Sequence, residues 1–205
     1  MIRIFTASLA ILGVSACVSV LPEAKVPEGL YRFGPMEAVY DLDASIIIRE
    51  PEASRLVAGR AIAAEDSSGA LRLVRGVEWA DTSTRLMQTA LLDLFGGAGA
   101  GVAIAPDTGA PADYELSWWV SDFTLSDTTG RCRIRATLLD GRTRKVLDQT
   151  LISTSATAEG KTNAQRARAL TEAGKACVSD VAAFIAYKTV VHAEEAEDTA
   201  GSVDK

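Results

Sequence analysis

Histidine is nearly missing from this chain, and most of the chemistry that histidine carries goes with it. His192 is the single histidine among 205 residues, and it stands at the margin of an acidic C-terminal stretch. No Ser-His-Asp or Cys-His constellation can be assembled around it. Three cysteines without a CxxC pair leave a zinc site equally short of ligands. A basic excess is missing too: 21 Lys and Arg stand against 27 Asp and Glu, a net charge of −6, whereas phosphate backbones demand a basic stripe. The glycine-rich segment 96–101 is not a phosphate cradle, because it follows a predicted helix and lacks the Lys-Ser/Thr pair of a P-loop. It reads as a flexible connection. Asp41 and Asp43 lack further ligands nearby and read as a turn or solvated loop. No catalytic residue, cofactor site or metal site is assigned, and the chain is not expected to be an enzyme. There is no internal repeat. After the first residues, no apolar run reaches the roughly 20 residues that a membrane span needs.

What is present begins at the N-terminus. Arg3 precedes an apolar run over residues 4–14, with small residues Ser15 and Ala16 before Cys17. These are the three regions of a secretory signal, and the run is too short to span a bilayer. Val14-Ser15-Ala16-Cys17 resembles a lipobox. Residues 1–16 are therefore expected to be removed, with Cys17 carrying a diacylglycerol on its thiol and a third, palmitate-type chain on its freed amine. Each buried methylene adds about 0.8 kcal/mol, so several chains together hold firmly. No Asp follows the cysteine, which favours sorting to the outer membrane. Residues 17–29 contain Pro22, Pro27 and Gly29 and no apolar periodicity, and read as a tether.

Residues 30–190 are expected to form one α+β domain with its own core. Short strands are read over 30–33, 45–49, 58–65 and 71–74, with Ser67-Ser68-Gly69 as hairpin chemistry between the last two. Asp81 or Thr82 can cap a helix through about residue 95. Residues 113–125, 131–139 and 146–156 alternate with a period of two and read as a long antiparallel meander. Thr162-Asn163-Ala164-Gln165 matches a capping box, and Ala167, Leu170, Gly174, Cys177, Val181, Phe184 and Lys188 behind it trace an amphipathic helix of about 25 residues. The expected result is a mostly antiparallel sheet with two main helices on one face. Residues 191–205, rich in Glu and Asp, are expected to be a disordered tail.

Cys132 and Cys177 each fall on the predicted core face of their element. Where the last helix covers the sheet the two can meet, and the oxidising periplasm allows a disulfide; two buried thiols acting as small hydrophobes is the other reading. Trp119 and Phe123 alternate out of phase with Trp118 and are expected on the opposite sheet face. Another part of the chain or a partner protein would cover them there. Arg131, Arg133 and Arg135, with Arg142, Arg144 and Lys145 close behind, read as a solvated sheet face.

Several of these features occur together in one family. A lipobox, a short tether, the opening Tyr31-Arg32-Phe33 and a strand over 58–65 are followed by Val77-Glu78-Trp79-Ala80-Asp81 leading into a helix. Asp113-Tyr114-Glu115-Leu116 then opens the late strands before a long alanine-rich helix. This order resembles the ABC-type transport auxiliary lipoproteins over nearly all of the mature domain, and departs from it in the glycine-rich insertion, the two cysteines and the acidic tail. The resemblance implies a non-enzymatic docking subunit on the periplasmic leaflet of the outer membrane. Its partners would be an inner-membrane ABC transporter and a periplasm-spanning protein of the mammalian-cell-entry (MCE) type that moves lipid between membranes, and it could form a homo-oligomer. An assembly factor or plug for an outer-membrane barrel, or a co-activator of an envelope synthase, would fit the same anchored domain.

Overall fold

Residues 114–126 alternate apolar and polar side chains, and Tyr114, Leu116, Trp118 and Val120 are buried on one side while Ser117, Trp119 and Ser121 face solvent. In the computed structural model, which describes residues 26–96 and 99–203, with side chains through 194, this segment is the spine of a nine-stranded sheet. Cys17, the signal and most of the tether lie outside the described residues.

In chain order the strands are β1 (Gly29–Tyr31), β2 (Ile46–Ile48), β3 (Glu52–Ala53), β4 (Ala61–Glu65), β5 (Leu71–Trp79), β6 (Ala103–Ile104), β7 (Tyr114–Ser126), β8 (Thr129–Asp140) and β9 (Val146–Thr157). The helices are α1 (Arg55–Ala58), α2 (Ser83–Asp93) and α3 (Asn163–Val203), with a 3-10 turn at Pro106–Thr108. One edge of β7 takes three short strands in succession, all parallel to it: Ile46 lies opposite Tyr114, Glu52 opposite Trp119, and Ala64 opposite Leu125. Its other edge takes β8, which in turn takes β9, both antiparallel. β1 and β6 are also parallel additions, to β5 and β2. The sheet is therefore mixed, which corrects the expectation of a mostly antiparallel one. The meander over β7, β8 and β9 is present as expected. The N-terminal strands were too short for periodicity to reveal their direction, and their crossovers return them parallel to β7.

The hairpin between β4 and β5 forms where turn chemistry indicated it. Asp66 accepts from the Ser68 and Ala70 amides at 2.9 and 3.1 Å, and Gly69 takes a positive φ of 82°. Hydrogen bonds from Ser68, then from Arg72, hold the Asp66 carboxyl well below its usual range. Thr82 caps α2 through its side-chain oxygen, which accepts from the Arg85 amide at 3.4 Å. The capping box of α3 closes reciprocally: the Gln165 amide donates to Thr162 Oγ1 at 3.2 Å, and the Thr162 amide donates to Gln165 Oε1 at 3.3 Å.

α3 lies across the sheet with Ala167, Leu170, Ala173, Cys177, Val178, Val181 and Ile185 fully buried, sharing one core with Cys132, Ile134, Ala136 and Leu138 of β8 and Met87, Ala90 and Leu91 of α2. Over Asn163–Glu194 α3 is long and apolar enough, by length and composition, to cross a membrane. Its packing makes it the core helix of this domain. Residues 191–203 continue α3 as helix where a disordered tail was expected. Ala and Glu dominate there, both are strong helix formers, and extending an established helix avoids the cost of nucleation.

The segment read as a flexible connection is also ordered at its far end. The Gly101 amide donates to the Leu42 carbonyl at 2.7 Å, and a Cβ on Gly101 would lie 2.2 Å from the Ala44 oxygen. The glycine is there because backbone meets backbone.

The same constraint acts between β8 and α3. A Cβ on Gly130 would lie 2.5 Å from the Leu170 Cα, too close for either backbone to yield. Gly130→Ala should therefore push α3 off the sheet at a cost of about 1–3 kcal/mol, seen as a melting temperature lower by roughly 3–10 °C. An unchanged melting temperature would show that this approach is not tight.

Candidate functional site

The outer face of the sheet, opposite α3, carries aromatic and charged side chains together. β7 and β8 bring it together in rows: Glu115 faces Leu139, Ser117 faces Thr137, Trp119 faces Arg135, Asp122 faces Arg133, and Thr124 faces Arg131. The next strands extend the central row, with Glu52 of β3 beside Trp119 and Leu151 of β9 beside Arg135.

Ion pairs fix both ends of this face. At one end the Glu115 carboxylate, only 4% exposed, is gripped by Arg49 and Arg144. Arg49 comes from the end of β2, and its own carbonyl accepts from Trp118 Nε1 at 2.6 Å. Arg144 comes from the β8–β9 turn, where it holds a positive φ of 63°. Burial alone would raise the Glu115 pKa, but the hydrogen bonds from Arg49 and Arg144 together outweigh it and set the pKa below its ordinary value; the same bond raises that of Arg49. At the other end Arg131 pairs with Glu65 and lies 3.3 Å from Asp122. Two members of the expected solvated arginine face are thus structural clamps. Between the clamps Trp119 is 42% exposed, and Arg133 and Arg135 are exposed with no ion pair among the described residues.

Phe123 does not belong to this face. The β7–β8 register shifts between Val120 and Asp122, a bulge that reverses the alternation beyond it. Phe123 is accordingly buried, its ring stacked on Trp79 at 5.1 Å and edge-on to Phe33 at 6.1 Å. The expectation that it sits beside Trp119 on the outer face is corrected. A period of two carries no mark of a bulge, so the sequence offered no signal of this reversal. Phe33 and Trp79, two of the residues on which the family resemblance rested, are core members of the same cluster and not surface contacts.

Cys132 and Cys177 meet beneath α3, both fully buried and both thiols in this structure. Burial first, and then the hydrogen-bonding contact with Cys177, raises the Cys132 thiol well above its ordinary pKa. Among the described residues no three His, Cys, Asp or Glu side chains gather as a metal site would require. His192 is half-buried near Asp148.

The outer face of this α+β domain is thus bounded at each end by an ion-pair clamp. The family model for the ABC-type transport auxiliary lipoprotein component matches residues 34–186, and the chain belongs to that family. The family is defined as an auxiliary part of a transport system in the cell envelope, and not as an enzyme family. Solved structures share the fold. Protein XCC0632 from Xanthomonas campestris, described under the family model DUF330, superposes with a TM-score of 0.67 at 15% identity, covering 81% of this chain and 99% of that one. An uncharacterized protein gives 0.62 at 11% identity, over 78% and 99% of the two chains. The hypothetical protein CT253 from Chlamydia trachomatis gives 0.50 at 7% identity, over 72% and 99%. Curated proteins gave no match.

The Glu115 clamp has a consequence for pH. A carboxyl whose folded pKa lies below its unfolded value stabilises the fold fully above that unfolded value, and the contribution is lost as pH falls through the folded value. Wild type should therefore melt above Glu115→Gln at neutral pH, with the gap closing as pH drops below the ordinary carboxyl value of 4.5. A gap that stays constant down to strongly acidic pH would show that the charge of Glu115 is not what holds Arg49 and Arg144.

Proposed function

We propose that this chain is a docking subunit of an MCE-type intermembrane lipid transport system, anchored through Cys17 to the periplasmic leaflet of the outer membrane. Family membership carries the reading, since an auxiliary component of ABC-type transport acts through partners. The outer sheet face supports it. Trp119, flanked along β7 by Ser117 and Ser121, stands opposite exposed Arg135 of β8, and a half-exposed Trp beside Arg is the composition of a binding hot spot. ATP hydrolysis belongs to another subunit. The rival, an assembly factor for an outer-membrane barrel or a co-activator of an envelope synthase, would use the same anchor.

We also propose that Cys132 and Cys177 are joined in the mature protein. Their contact and the oxidising compartment support a bridge, which would close a loop of about 45 residues and stabilise the fold by on the order of 4 kcal/mol in the chain-entropy account. Alkylation of the unreduced, denatured protein should leave both cysteines unlabelled; labelling of both would show that they act as core thiols.

Gentle detergent extraction and co-purification should recover an MCE-type protein, and Trp119→Ala should weaken that association by about 2 kcal/mol, roughly thirtyfold, without unfolding the domain. Mass spectrometry should find the lipid chains on Cys17. Repeated recovery of a barrel protein alone would favour the assembly reading, and an unmodified mature N-terminus would remove the anchor.

A further inference from the structure

On the side away from β9 the sheet ends at a margin that β1 covers only in part. β1 pairs with β5 at Val77, Glu78 and Trp79, and among the described residues nothing pairs along that edge of β5 from Leu71 to Gly76. Apolar side chains stand exposed along this stretch. Leu71 and Leu73 are 49% and 57% exposed, Leu30 of β1 is 55% exposed, and Val26, just before β1, is 86% exposed. Strand pairing sets the direction in which the leucines point. Leu71 lies opposite Glu65 and Leu73 opposite Ala63, so both project on the face where Glu65 pairs with Arg131. Gly29 and Tyr31 lie opposite the core residues Val77 and Trp79, so Leu30 between them points to the same outer face.

The chain enters the fold at this same margin. Val26, Pro27 and Glu28 line one open groove with Val74, Arg75 and Gly76, and Val26 stands nine positions after Cys17. Fully extended, those nine positions reach at most about 32 Å. The β9 margin, which exposes Val146 and Leu151, lies five strand spacings further away, about 24 Å across the sheet. Charge does not keep a lipid surface away from the β1–β5 margin, although the chain as a whole carries −6. Asp66 and Glu78 are paired with Arg72 and Arg60. Arg32 and Arg75 are exposed and have no ion pair among the described residues, against the single exposed acid Glu28.

We propose that the β1–β5 margin is a membrane contact, in which Val26, Leu30, Leu71 and Leu73 rest in the headgroup region of the phospholipid surface that holds the anchor. The contact rests on the lipidation of Cys17 proposed above, and adds to it a second attachment made by the folded domain. Exposed leucines are common on soluble domains, and four apolar side chains would recruit an unanchored domain only weakly. The anchor changes this. A short tether holds the margin beside the lipid at millimolar effective concentration, so a contact too weak to recruit the domain still orients it. The occupant is lipid because the membrane is the body that the chain itself keeps next to this margin. Arg32 and Arg75 are placed to meet anionic headgroups. The sheet then rises from the surface edge first, and Trp119 on β7 lies three strand spacings along it, about 14 Å, clear of the lipid and open to a protein partner.

Quenching by labelled lipid reads this orientation directly. The mature, lipidated protein is reconstituted in vesicles of phosphatidylethanolamine and phosphatidylglycerol that contain a doxyl-labelled phospholipid, with an environment-sensitive fluorophore on one introduced cysteine. The native Cys132 and Cys177 are fully buried and do not compete for the label. From Leu73→Cys and from Leu30→Cys, emission should shift to the blue and be quenched several-fold more strongly than from Leu151→Cys, which is exposed to the same degree on the β9 margin. Leu71→Glu combined with Leu73→Glu should abolish the quenching from position 30. Far-UV circular dichroism and melting temperature should stay unchanged, since both side chains are exposed. Equal quenching at positions 30, 73 and 151, or none at 30 and 73, in protein whose Cys17 carries its lipid by mass spectrometry, overturns the contact and leaves the anchor standing. Quenching at position 30 that survives both glutamates overturns it too. A Cys17 without lipid removes the anchor itself, and the contact with it.

Discussion

Both edges of β7 are in use, and most of the molecule follows from that. Three short parallel strands that could not persist alone each find their hydrogen bonds on one edge, at successive heights along a 13-residue strand. The antiparallel meander grows from the other edge. A strand paired on both sides has its register doubly specified, because a slip of one residue would move Leu116, Trp118 and Val120 out of the core. The bulge between Val120 and Asp122 is the one permitted irregularity, and it transfers Phe123 to the core face, where it stacks on Trp79. The aromatic cluster of Phe33, Trp79 and Phe123 joins β7 to the chain just after β1 and to the end of β5.

The two faces of the sheet then have different work. The inner face is completed by α3, laid so closely that β8 needs glycine at position 130. Among the described residues the outer face has no such cover. It is held by ion pairs at its ends and leaves Trp119, Arg133 and Arg135 between them. Loss of the Glu115 clamp would free Arg49 and Arg144 together, and with them the end of β2 and the β8–β9 turn. A surface fixed in this way pays little ordering entropy when a partner binds, as the proposed docking role would require.

Long periodic segments were legible in the sequence because their pattern reports their own environment. β7, β8, β9 and the start of α3 all fall close to where alternation, capping and helical spacing put them, and Cys132 and Cys177 meet because each lies in phase with a core stripe. The direction of β1 to β4 was not legible, because three or four apolar residues look alike in parallel and antiparallel pairing. Nor was the fate of Phe123, since a bulge changes phase without leaving a signature in composition. The acidic stretch after residue 190 continues α3 as helix, and the Glu residues whose charge pointed to disorder are also strong helix formers. Glu115 was quoted for family resemblance alone, and its pairing with Arg49, 66 residues away, is a tertiary fact that no local pattern carries.

Family membership was legible through the order of elements, and the docking face proposed for it only through the structure. A photo-reactive amino acid placed at Trp119 in living cells tests that pairing of family and face most directly. Docking through the outer sheet face predicts a cross-link from this position to an MCE-type protein of the envelope. Cross-links confined to a barrel protein, or the absence of any protein adduct from a position that is nearly half exposed, would contradict it.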